Sequence, residues 1–163
     1  MSQTGESVSE RSSEHGTFTI ERTYAAAPRR VFEAWSELAQ KTRWFGPPEK
    51  PAGAHTLDFR EGGSEHLAIP LEGGPSYSLD AIYHDIVPDQ RIVYTYDMRR
   101  DEDRISVSVA TVEFEPDGER TRLKLTEQGV FLDGIDTSAE REHGTGILLD
   151  GLAALFAVGP ESA

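Results

Sequence analysis

The strongest helix signal in the chain, Thr137–Val158 (TSAEREHGTGILLDGLAALFAV), comes last, after a long run of strand signals. That order constrains the fold more than any other feature. Thr137-Ser138-Ala139-Glu140 has the form of a capping box, in which the hydroxyl and the carboxylate each accept from a free amide. Glu140 and Glu142 lie where the helix dipole favours negative charge. Leu148, Leu152, Leu155 and Phe156 recur at three- and four-residue steps and predict an apolar face. Gly144, Gly146 and Gly151 interrupt it at a cost of about 1 kcal/mol each relative to Ala. Close approach of a neighbouring backbone or of a ligand would offset that cost. A long helix of this kind, following strands, predicts a sheet wrapped around it.

Upstream, Thr17–Tyr24 alternates as a first strand. Pro28 suits the first turn of a helix, where its missing amide hydrogen costs nothing. In that helix Val31 and Trp35 stand one turn apart, with Phe32 beside them. Ser36 is the expected cap of a second short helix, Leu38–Trp44, which Phe45-Gly46-Pro47-Pro48 terminates. Three hairpins follow between His55 and Gln128. In the first, a turn near Gly62 sets His66 opposite about Asp58. In the second, turning at Pro88-Asp89-Gln90, two registers stand open: Tyr83 shares a face with Tyr94 and Tyr96, or with Val93 and Thr95. In the third, a two-residue Asp117-Gly118 turn sets Phe114 opposite Thr121, Val112 opposite Leu123 and Ala110 opposite Leu125. These form one apolar face, with Ser106, Ser108, Arg122 and Lys124 partly off it. Successive hairpins imply antiparallel pairing. The expected class is α+β, a helix-grip fold: a curved antiparallel sheet wrapped around a long C-terminal helix, with two short helices after the first strand.

A chain of 163 residues, 37% of them hydrophobic, suits one domain with a real core. It is expected over 17–158, behind a Ser/Glu-rich tail, 1–16, that lacks the apolar content to fold. The tail has neither a signal-peptide nor a transit-peptide pattern. No apolar run approaches the ~20 residues of a membrane span, so no membrane insertion is expected. The net charge of −13 disfavours nucleic acid and anionic membrane surfaces as partners. With no cysteine there is no disulfide, thiolate nucleophile or cysteine-ligated metal, which fits a cytoplasmic protein.

Four segments, in order, resemble a known family. Ala27-Pro28-Arg29-Arg30-Val31-Phe32-Glu33-Ala34-Trp35 with Arg43-Trp44-Phe45-Gly46-Pro47 is similar to the opening of SRPBCC (START/Bet v 1-like) proteins, in the branch of activator of Hsp90 ATPase homologues (AHSA1-like). Ala81–Pro88 with Arg91–Thr95 resembles its central hairpin. Leu125–Gly129 and Leu149–Leu152 resemble its closing segment. The resemblance spans roughly 17–158 and implies a small apolar or amphipathic ligand held between sheet and helix. Some relatives are cyclases or hydrolases, and the family name implies an Hsp90 co-chaperone as a further alternative. Bacterial members often carry Trp where this chain has Thr145. The loss of that indole is expected to enlarge the pocket, or to pass its filling to Phe131 or Phe156. The stretch Gly62–Gly74 also lacks the dense alternating aromatic pattern often seen there.

The residues display no catalytic constellation. His55, His66, His84 and His143 lack metal-ligand spacing, and no Ser lies in a nucleophile-elbow motif. Glu142-His143 reads as a general-base pair or as exposed first-turn polarity, and Asp85 as a cavity anchor or a solvated carboxylate. The stronger signal is aromatic. Trp35, Trp44, Phe45, Phe59, Tyr83, Tyr94, Tyr96 and Phe131 exceed what a small core needs, and apolar pockets are lined this way. With Thr145, Leu148 and Leu152 on the helix they form the expected ligand site. No metal or cofactor is expected, whether a reaction follows is open, and the chain is expected as a monomer or homodimer.

Overall fold

The computed structural model describes residues 11–46 and 53–157. The first ten residues of the predicted tail, Pro47-Pro48 and Val158 lie outside the described residues. Strand β1 (Ser13–Tyr24) is followed by α1 (Pro28–Ser36) and a single turn, α2 (Leu38–Lys41). Then come β2 (His55–Leu57), β3 (Ser64–Ile69), β4 (Tyr77–Val87), β5 (Arg91–Arg100), β6 (Asp103–Asp117) and β7 (Arg120–Leu132). Helix α3 (Ser138–Ala153) runs into a short 3₁₀ turn, Ala154–Phe156. The seven strands form one antiparallel sheet in the order β1-β7-β6-β5-β4-β3-β2. This is the α+β, helix-grip arrangement that the sequence predicts. No helix of the described residues is long and apolar enough to cross a membrane.

Several local expectations change. β1 begins at Ser13 rather than Thr17, because residues 13–16 pair with the far end of β7, Leu132 back to Gly129. Ser36 does not cap α2. Its N-cap is Glu37, without a side-chain bond, while Ser36 Oγ turns back toward the Glu33 carbonyl. In the first hairpin His66 stands opposite Thr56, not Asp58. In the second, Pro88-Asp89-Gln90 is the loop, Asp89 takes φ 65°, and Tyr83 pairs with Tyr94. A bulge at His84 then lets Tyr83, Tyr94 and Tyr96 share the inner face.

The third hairpin turns one residue later than expected. Asp117 pairs with Arg120, and Gly118 supplies a φ of 63° in the two-residue turn. Every pair therefore moves by two: Phe114 faces Leu123, Val112 faces Leu125 and Ala110 faces Glu127. A shift of two preserves which side chains point inward. Ser106 and Ser108, expected partly off the face, are on it and buried.

Helix α3 is capped at its start by its own residues and bonded to β1 farther along. Thr137 Oγ1 accepts from the Glu140 amide at 3.1 Å, and Asp136 Oδ1 accepts from the Thr137 amide at 2.8 Å. Half of the predicted box is thus formed, with Asp136 in the second role. Near the other end Tyr24 donates to the Leu149 carbonyl at 2.8 Å and packs on Phe156. Between them Arg22 bonds Asp150 at 2.8 Å and passes over Gly146, where an added Cβ would meet its guanidinium at 3.3 Å. Gly146 is therefore a close-approach glycine, whereas Gly144 and Gly151 face open space. Because the helix rests on the β1 edge, a gap is left between it and the middle of the sheet.

Candidate functional site

That gap is a cavity of about 320 Å³, roughly twice the ~150 Å³ apolar cavity known to take up benzene. Thr145, Leu148 and Leu149 of α3 roof it, and Leu67, Leu79 and Leu125 form much of its floor. Trp35, Trp44 and Phe45 close the end beneath the short helices, where Trp35 and Trp44 pack edge to face at 4.8 Å and Trp44 donates to the Ala34 carbonyl. Tyr94, Tyr96 and Met98 supply the β5 side.

Seven of the eleven residues expected at the site line this cavity: Trp35, Trp44, Phe45, Tyr94, Tyr96, Thr145 and Leu148. The other four do not. Phe59 is drawn away by edge contacts to Phe32 and Tyr83. Tyr83 is buried behind Tyr94, its hydroxyl committed to Glu65. Phe131 lies under the Arg141 guanidinium at 5.2 Å, and Leu152 is wholly within the core. Thr145 does face the cavity, so the space expected at the missing indole exists beside the helix.

The polar end is the part the sequence reading missed. Arg141, on the first turns of α3, is buried and spread over three acceptors. Nη1 donates to Tyr96 at 2.9 Å, and Nη2 to Ser106 at 2.8 Å and to Asp136 at 2.9 Å. Tyr96 in turn donates to Glu127 Oε2 at 2.6 Å, an oxygen 3.6 Å from Arg141. Burial pushes the Glu127 carboxyl above its usual range, and the Tyr96 bond and the Arg141 charge only partly oppose it. Glu127, Asp136, Glu140 and Arg141 all border the cavity.

A second ionic group lies behind the aromatic wall. Lys41, with no exposed surface, donates to Glu65 Oε1 at 2.7 Å and to Tyr83 at 3.1 Å. Tyr83 donates to the same oxygen at 2.6 Å, and His55 Nε2 meets Glu65 Oε2 at 2.7 Å. The ammonium sits 4.3 Å from the Phe45 ring and 5.5 Å from Trp35. Burial raises the Glu65 carboxyl, but Lys41 and the bonds from His55 and Tyr83 override it and hold it at about 2. Signals for both groups were present. Glu65 and Glu127 occupy inward positions of their alternating strands, and Arg141 puts a cation in the first turns of a helix, where the dipole disfavours it.

The remaining candidates are peripheral. Asp85 is half-exposed and paired with Arg91 at 2.7 Å, the solvated alternative. Glu142 and His143 are exposed, His66 bonds Asp80, and His84 bonds Thr95.

The sequence profile of the family "Activator of Hsp90 ATPase homolog 1-like protein" matches residues 25–157. A search among curated protein sequences finds no match. Solved structures are similar over nearly the whole domain. An uncharacterised protein from Rhizobium leguminosarum is 44% identical with a TM-score of 0.86, covering 90% of this chain and 97% of its own. The Mll3558 protein from Rhizobium loti is 48% identical with a TM-score of 0.82, covering 88% and 98%. Protein CV1439 from Chromobacterium violaceum, 23% identical with a TM-score of 0.74 over 88% and 99%, shares the fold.

Proposed function

The chain belongs to the activator of Hsp90 ATPase homolog 1-like family, with its Bet v 1/SRPBCC-type fold, and from that premise we propose that it binds a small apolar or amphipathic molecule between sheet and helix. The observation that carries this reading is the cavity itself. It is bounded by aromatic and aliphatic side chains on three sides, with ionisable groups confined to one end. Small-molecule sites have this character: apolar walls supply affinity and a few polar groups set orientation. A chain selected only for stability would gain by filling the space, since cavity volume costs stability.

Native mass spectrometry of protein purified under mild conditions, with naphthalene uptake followed by fluorescence, tests the reading. A retained small molecule, or saturable uptake of naphthalene, is expected. Protein that carries nothing and takes up no naphthalene would refute it.

A second reading, turnover of the bound molecule, is favoured by Glu127. A carboxyl whose pKa burial raises, at the rim of an apolar cavity, can donate or accept a proton. It predicts a slow change in the mass of the retained molecule on incubation, which Glu127→Gln abolishes. An unchanged mass over prolonged incubation leaves binding alone.

A further inference from the structure

The cavity walls say how large a ligand is, and the polar end says what head it carries. Arg141 is the obvious partner for a carboxylate ligand, but it is already engaged. Its two terminal nitrogens serve Tyr96, Ser106 and Asp136, and its charge faces Glu127 and Asp136 together. Glu140 adds a third carboxylate to the same end. Three carboxyl groups against one cation leave the region acceptor-rich, so a head that donates suits it better than an incoming carboxylate.

Glu127 adds a more specific feature. Its side chain is 3% exposed and borders the cavity. Oε2 takes the Tyr96 hydroxyl, and the buried Ser108 hydroxyl lies beside the same carboxyl group. A buried carboxyl gains from every donor it is given, and because Glu127 borders the cavity a bound molecule can supply one. The β7 register produces the placement by setting Glu127 opposite Ala110, whose small side chain leaves room above it.

Resting on the ligand-binding reading above, we infer that the molecule held here carries a hydrogen-bond-donating head, an amine or a hydroxyl, seated on Glu127 with its apolar body toward Trp35 and Leu148. A cationic amine draws further on Asp136 and Glu140, whereas an alcohol uses the single acceptor. A carboxylic acid of the same body is disfavoured.

Three probes with one shared two-ring body test this: naphthylmethylamine, naphthalenemethanol and naphthoate, titrated at neutral pH against native protein and followed by ring and tryptophan fluorescence, with naphthalene as the headless reference. The amine and the alcohol are expected to bind more tightly than naphthoate by about tenfold or more, the weight of one charge-assisted hydrogen bond. Glu127→Gln, checked for fold by circular dichroism, is expected to erase most of the preference for the amine. If naphthalene binds and naphthoate equals or exceeds the amine and the alcohol, the head-group assignment is overturned while cavity binding stands. If none of the four probes binds and the purified protein carries no molecule, the ligand-binding reading falls and this inference with it. The comparison on native protein decides the matter even where the variant does not fold.

Discussion

Replacing Lys41 by Met removes the ammonium paired with Glu65 at 2.7 Å while keeping an unbranched side chain of similar length. The Glu65 carboxyl then stays buried against Tyr83 and His55 with its main counter-charge gone. Its shift from 4.5 to about 2 corresponds to roughly 3 kcal/mol at neutral pH. Breaking a buried pair on one side costs about 3–5 kcal/mol by comparison with other proteins. For a domain of this size that is a fall in Tm of about 6–20 °C. The pH dependence identifies the cause. Because the folded pKa is depressed, the stabilisation is complete above about 4.5 and is lost as the pH falls towards about 2. In Lys41→Met the same carboxyl has only the bonds from His55 and Tyr83 to set against its burial and moves upward, so its penalty is greatest at neutral pH and shrinks on acidification. The stability gap between native protein and variant, measured by denaturant unfolding, is therefore widest at neutral pH and closes below about 4.5. Glu127 titrates alike in both proteins and cancels in the difference. A gap constant across that range would refute the reasoning, since it would show Lys41 acting through its packing on Trp35 and Phe45. Adding Glu65→Gln to the variant is expected to restore most of the loss.

Three further outcomes follow from the helix. Thr137→Ala removes the acceptor for the Glu140 amide and is expected to cost about 1 kcal/mol by denaturant unfolding. Gly151→Ala places a methyl where nothing lies within 4 Å, so it should stabilise the protein by up to ~1 kcal/mol; destabilisation there would mean that the helix end is not open. Thr145→Trp puts an indole into the cavity roof and is expected to abolish naphthalene uptake while circular dichroism stays native. Retained uptake would locate the probe elsewhere.

The strand order, the helix pair and the gripping helix were legible because each rests on local signals: alternation, turn residues, and the Thr137 cap. Register was harder. The third hairpin offers Asp117-Gly118 and Gly118-Glu119 as equally simple two-residue turns, and both keep the same side chains inward, so patterning cannot separate them. Glu127 falls inward in either register, but at the end of the expected strand it reads as ordinary polarity; β7 in fact continues past it to Leu132. Lys41 and Glu65 lie 24 positions apart on a single helical turn and a short strand, and no local pattern pairs them. The aromatic residues were visible as a set, but their division between cavity wall and support depended on contacts: Tyr83 and Phe131 each lie beside a buried ion pair rather than at the opening.

The turn at Gly118 has a bearing on how such proteins diverge. A slip of two residues there slides β7 along β6 by about 7 Å and exchanges no inward residue for an outward one. The core survives in kind, but the carboxylate moves from beside Ala110 to beside Ser108, the pairing of the alternative turn. Loop tips tolerate such length changes better than cores tolerate substitution. Ligand preference in this fold is thus open to inheritance by insertion and deletion at a distant hairpin tip, with every residue that touches the ligand left unaltered.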